Sequence, residues 1–197
     1  MKGYKLTKDI TFWFTLLCAG LILSSTLWFD FGPDQIIFGY IAMVWKKYHL
    51  LPYLGAYDAD FPGIIIIHRL AMEIFGTSIL GFRVFDFIGQ MACLVMLYYL
   101  ALRLSGKSAA GFLACIFYSI YYFGLDSFST AERDNFVLWF LLISSLLTLY
   151  FENRRWTGKI LTGLLLGFAF LTKPTYGLTW PIFGLWFLAR EFKKRPK

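Results

Sequence analysis

Between Asp9 and Asp30 the chain runs for twenty residues, Ile10–Phe29, without a charged side chain. Wound as an α-helix at about 1.5 Å per residue, such a run reaches roughly 30 Å, the thickness of a bilayer's hydrocarbon core. Lys2, Lys5 and Lys8 precede it, as basic residues precede the core of a signal peptide. The apolar stretch is longer than a usual signal core, however, and no A-x-A-like site follows it. The segment "TLLC" also lacks the small residue expected just before a lipoprotein cysteine. An uncleaved first membrane helix is therefore expected.

Five further charge-poor runs follow, at Phe87–Leu102, Ser108–Leu125, Asn135–Phe151, Ile160–Thr172 and Pro174–Ala189. The run at Ile160 amounts to about 20 Å of helix, so it has to thin the bilayer, snorkel Lys159 or pack inside the protein. With 58 % hydrophobic and 16 % charged residues, the composition suits a membrane protein rather than a soluble globule. The expectation is an all-α polytopic membrane protein of about six transmembrane helices, forming a single domain over residues 1–197.

The net charge of +7 is a topology signal. With the N-terminus in the cytoplasm, thirteen of the nineteen Lys and Arg fall on the inner side, as the positive-inside rule requires. Both termini are then cytoplasmic and the host is the plasma (inner) membrane. These basic residues sit beside membrane spans, so no nucleic-acid partner is expected. Nine of the twelve acids, Asp30, Asp34, Asp58, Asp60, Glu73, Asp86, Asp126, Glu132 and Asp134, fall on or near the outer side. Acids contribute little to orientation, so chemistry at that face is one explanation. Cys18, Cys93 and Cys115 lie in separate apolar runs without metal-ligand spacing and read as small core residues.

The outer loop over residues 30–80 is too long for a simple hairpin. Within it, Asp34–Leu51 and Gly63–Gly76 are apolar with polar residues at particular places, the pattern of two helices lying at the interface. The second carries His68, Arg69, Met72, Glu73 and Gly76 along one side, with Arg69 and Glu73 an i,i+4 pair.

The order of motifs resembles the GT-C glycosyltransferases, in the branch of the protein O-mannosyltransferases and aminoarabinose transferases (glycosyltransferase family 39 and relatives). "GPDQ", Gly32 to Gln35, matches the acidic motif after the first helix. "DADFPGIIIIHRLAMEIFG", Asp58 to Gly76, is similar to the "PPL…LFG" segment. "STAERDNFVLWFLLIS", Ser129 to Ser144, resembles the outer turn whose Asp opens the fourth helix, and "GLLLGFAFLTKPTYGL", Gly163 to Leu178, the "G-L-A-x-L-T-K" turn. The chain departs from the pattern at Gln35, where the family often has Glu, and at Pro62, which stands alone instead of paired. Typical members have more membrane helices and a soluble outer domain, so the chain resembles their N-terminal half.

The resemblance implies transfer of a sugar from a polyprenyl-phosphate carrier, a substrate rather than a cofactor, to an acceptor on the outer face. Asp34 stands where the family's catalytic Asp stands. Its alternative is a helix N-cap. Arg133, Lys173, His68 and Arg69 are the candidates for the donor phosphate or lipid headgroup, and Asp60 and Asp134 are supporting acids. Each has a plainer reading. Lys173 snorkels at a helix end, Arg133 pairs locally with Glu132 or Asp134, His68 is solvated or capped, and Asp134 is an N-cap. Asp58 and Asp60 make only half a metal site, so no metal is expected. Arg83 and Asp86, i,i+3, are expected to neutralise each other. The rival to an enzyme is a non-catalytic polytopic protein that binds a lipid carrier or a partner membrane subunit. A small transporter lacks support, because no Gly/Pro-broken helix pair or inverted repeat is visible.

Overall fold

The computed structural model describes residues 9–150 and 156–194, and among them all regular structure is helical. Six helices occupy the six charge-poor runs: α1 (Ile10–Ser24), α4 (Ile79–Ser105), α5 (Ser108–Gly124), α7 (Arg133–Tyr150), α8 (Thr157–Thr172) and α9 (Thr179–Lys194). Two are long and apolar enough to cross a membrane: α1 with the 3₁₀ turn that extends it to Trp28, and α4. The others are shorter or less apolar, so the count of six spans reduces to two clear ones among the described residues.

The outer loop folds as two helices, α2 (Pro33–Tyr48) and α3 (Pro62–Phe75), within two residues of the expected starts. Proline at the first helical position explains this sharpness, since its φ is already helical and its missing N–H needs no partner there. Their ends are equally local: His49 takes a left-handed φ of 58° and Gly76 one of 80°. A one-turn helix, α6 (Asp126–Ser129), lies between α5 and α7.

The main difference from the sequence reading is the start of α4. Arg83 and Asp86 argue against a span beginning before Phe87, yet the helix begins at Ile79, capped by the Ser78 hydroxyl accepting from Gly81 N–H at 3.0 Å. Both charges are fully buried. They do not neutralise each other by direct contact: Arg83 bonds backbone carbonyls and polar side chains above it, and Asp86 bonds Gln90 and Tyr122. Each is solvated by its own set of protein dipoles, which is why a helix can carry both inside.

Helix α4 is the axis of the molecule. On one side it packs with α1 and α5 around Leu23, Leu94, Tyr98, Cys115 and Tyr122. On the other it packs with α3 and α7 around Phe38, Ile64, Ile65, Phe82 and Phe136. Two glycines permit close approach. A Cβ on Gly89 of α4 would lie 1.8 Å from Trp139 Cζ2 of α7. One on Gly63 of α3 would lie 2.5 Å from the Leu171 carbonyl carbon of α8. At the end of the bundle carrying the α1 N-terminus, Asp9 Oδ2 accepts from Tyr98 Oη at 2.7 Å and Ser108 Oγ at 3.0 Å. The opposite end gathers the acids and bases of the candidate site.

Candidate active site at one end of the helix bundle

Helix α2 begins with Gly32 as its N-cap residue and Pro33 behind it, so Asp34 lies in the first turn and is not the cap. Its carboxylate points away from its own helix and accepts from Arg133 Nη2 at 3.1 Å. The other terminal nitrogen of Arg133 donates to Asp60 Oδ1, on the loop that leads into α3. The guanidinium carbon lies 5.3 Å from the centre of the Phe38 ring, so one face of the cation rests on α2. Asp34 and Phe38 of α2 and Asp60 of the loop before α3 thus meet on one guanidinium. The guanidinium forms its ion pairs with these two acids and not with Glu132 or Asp134, the local partners considered for it.

Its chain neighbour Asp134 turns the other way. Asp134 Oδ2 accepts from Lys173 Nζ at 2.6 Å, and its Oδ1 from Tyr176 Oη at 3.0 Å, at the junction of α8 and the 3₁₀ turn Pro174–Leu178. Lys173 is held by this pair. Burial, followed by the hydrogen bond to the Asp134 carboxylate, pushes the Tyr176 hydroxyl up to about 12, so it donates throughout the physiological range.

Two candidates are not brought to this centre. Arg69 bonds Glu73 through Nε at 2.7 Å and Nη2 at 2.6 Å, and lies over the Trp45 ring at 5.4 Å. Lys46 Nζ shares that carboxylate at 3.3 Å. The Lys46 bond and the Arg69 bonds hold the Glu73 carboxyl below its ordinary value. This cluster sits at the last turn of α2, about 18 Å along the helix from Asp34. His68 is neither solvated nor capped but fully buried, its ring stacked on Phe82 at 4.2 Å with both nitrogens unbonded. Burial, with the Arg83 charge behind it, drives its imidazole down to about 3. A neutral ring enclosed in aromatic core does not meet an anion, and the site is built without it.

Two residues gain roles that their positions in sequence did not suggest. Gln35 is fully buried. Its Nε2 donates to Thr130 O at 2.6 Å and Ser127 O at 3.2 Å, while its Oε1 accepts from Arg83 at 3.0 Å. A glutamate there would face two carbonyl oxygens with no hydrogen to offer, so the departure at this position fits its surroundings. Glu132 is the second. Its Oε1 is buried without a hydrogen-bond partner, and burial, then the Asp34 charge, raises its carboxyl to about 7. A carboxyl that titrates near neutrality therefore stands next to Asp34 in the electrostatics of the site. Sequence gave one cue for it: two acids flanking Arg133 at the start of an apolar run.

The arrangement offers a half-exposed carboxylate, a guanidinium able to exchange one carboxylate for another anion, an ammonium beside it in the chain's fold, and a carboxyl poised between its two charge states. Such a set can accept a proton and hold a phosphate. The profile of the dolichyl-phosphate-mannose-protein mannosyltransferases matches residues 61–196, which include Arg69, Glu132, Arg133, Asp134 and Lys173 and stop short of Asp34 and Asp60. No curated protein and no solved structure matches the chain significantly. With more than half of its length matched and its helices apolar, the chain is an integral membrane protein that belongs to the dolichyl-phosphate-mannose-protein mannosyltransferase family of GT-C-type glycosyltransferases.

Proposed function

We propose that the chain carries the acceptor-activating and phosphate-holding part of a membrane glycosyltransferase. The sugar moves from a polyprenyl-phosphate-linked donor, dolichyl-phosphate mannose in the family's name, to an acceptor on the outer face. The acceptor hydroxyl oxygen attacks the anomeric carbon, the carbon–oxygen bond to phosphate breaks, and its electron pair leaves with the lipid phosphate. Asp34 takes the hydroxyl proton. Arg133 and Lys173 neutralise the charge that grows on the phosphate, with Asp60 and Asp134 holding them when no donor is bound. Arg69, tied to Glu73 at the far end of α2, is assigned to the lipid headgroup. Both termini are cytoplasmic in the plasma membrane, and a partner membrane subunit supplies helices that complete the site.

The observation that carries this reading is the pairing of Asp34 with Arg133 across the bundle, at 3.1 Å. A carboxylate that is 51 % exposed gains little stability from such a pair, so its position beside a cation is better explained by reactivity than by folding. The test is Asp34→Asn, assayed for transfer from a polyprenyl-phosphate mannose in proteoliposomes. A loss of about a hundredfold or more is expected, the scale of a missing general base. Membrane insertion and melting should stay within about 1 kcal/mol of wild type, since only an exposed ion pair is lost. Undiminished transfer would remove the base assignment. Binding of the lipid phosphate by a wild-type chain that transfers nothing would favour the non-catalytic reading.

A further inference from the structure

The turn that presents Arg133 is held from beneath by two residues that touch no substrate in the proposed reaction. Tyr122, near the end of α5, is fully buried, and its hydroxyl donates to Asp86 Oδ2 of α4 at 2.7 Å. With its single proton committed there, the same oxygen turns a lone pair to the backbone N–H of Ala131, 2.9 Å away. Ala131 has a left-handed φ of 56°, a conformation that residues other than glycine avoid unless their surroundings impose it. Asp86 is itself oriented, because Gln90 Nε2 donates to its Oδ1 at 2.9 Å and Tyr118 donates to Gln90 Oε1.

A second set of bonds grips the same turn from the side. Arg83 Nη1 donates to Thr130 Oγ1 at 3.0 Å, and Gln35 Nε2 to Thr130 O. Beyond Ala131 the chain has only Glu132 before Arg133, so a change in the backbone at Ala131 re-aims both side chains. Asp86 lies about 10 Å into α4 from its first residue, where a carboxylate is costly to keep. Its two bonds account for how it is tolerated. The junction with Tyr122 supplies a use for it.

We propose that Tyr122, oriented by Asp86, is a positioning residue: it fixes Ala131 and thereby the presentation of Arg133 to Asp34. The proposal rests on the Asp34–Arg133 reading of the site, and its test separates the two. Hydrogen exchange of the full chain in lipid nanodiscs reports on the clamp without any activity. In Tyr122→Phe, exchange over residues 130–134 rises roughly tenfold, the scale of one lost hydrogen bond. Tyr98→Phe, which loses a buried hydroxyl at the opposite end, leaves that segment as in wild type. Asp86→Asn keeps an acceptor for Tyr122 and retains protection, whereas Asp86→Leu loses it. Unchanged exchange in Tyr122→Phe overturns the clamp.

The second arm is steady-state transfer from a polyprenyl-phosphate mannose. Tyr122→Phe and Asp86→Leu lower kcat roughly tenfold with the donor KM altered less than about threefold, because the misplaced cation acts on the transition state. Asp86→Asn restores most of the rate. Wild-type transfer rates in a variant whose turn has loosened overturn the positioning role. Absence of transfer in the wild type sinks the reading of the site, while the exchange result still decides the clamp.

Discussion

Glu132 shows at the scale of one residue how burial changes what a side chain does. Its carboxyl is raised from 4.5 to about 7, chiefly by burial and then by Asp34. The folded state therefore holds a proton that the unfolded chain has already released between those values. Stability tied to Glu132 is complete below about pH 4.5 and is lost as pH rises through 7. Glu132→Gln should flatten this limb of a melting-against-pH curve, a gain of about 1–2 kcal/mol at pH 8 once screening of a partly exposed group is allowed for. A variant that keeps the wild-type slope would show the limb to have another source. Little of this was legible in sequence. An acid beside an arginine at a helix start looks like a local pair, and only the turn at Ala131 reveals that Arg133 reaches Asp34 and Asp60 instead. The helix start beside Asp34 was legible, because a Gly-Pro-Asp triplet after a membrane-length run leaves few other places for a helix to begin. His68 was not, since an i,i+4 pattern gives a side but not what covers it.

Helices are the scale at which the sequence spoke most clearly. Charge-free runs located α5, and α1 together with its 3₁₀ extension to Trp28, to within a residue or two, and Pro33 and Pro62 marked the starts of α2 and α3. The start of α4 was hidden by Arg83 and Asp86, because polarity read along a chain takes no account of partners supplied by α2, α5 and the turn before α7. Contacts between helices were hidden as well. Nothing in the string distinguishes Gly89 from other apolar-run glycines, yet the Trp139 ring occupies the space where its side chain would be. Gly89→Ala should cost about 2–3 kcal/mol through overpacking, measured by thermal unfolding in detergent. Adding Trp139→Leu should recover most of the loss. A tolerated single substitution would mean that α4 and α7 slide apart without penalty.

For the whole molecule, the order of four motifs along the chain pointed to a family that the match over residues 61–196 bears out. Orientation is a matter of charge bookkeeping that packing does not address, and it has its own test. With the native cysteines replaced, Tyr57→Cys should react with a membrane-impermeant maleimide added to intact cells, and Trp156→Cys only after permeabilisation. Both positions are exposed, so accessibility in the fold does not decide the outcome. The reverse pattern would invert the topology.

Arg133 and Asp134 are consecutive residues in the first turn of α7, and one reaches towards α2 while the other reaches towards the end of α8. A single rotation of that turn therefore lengthens one ion pair as it changes the other. A ligand at Asp34 and an anion at Lys173 would then be coupled, an outcome read by titrating one in the presence of the other. Two ligands entering from opposite flanks would report each other's presence through one peptide bond, and their affinities would shift by the same factor in both directions.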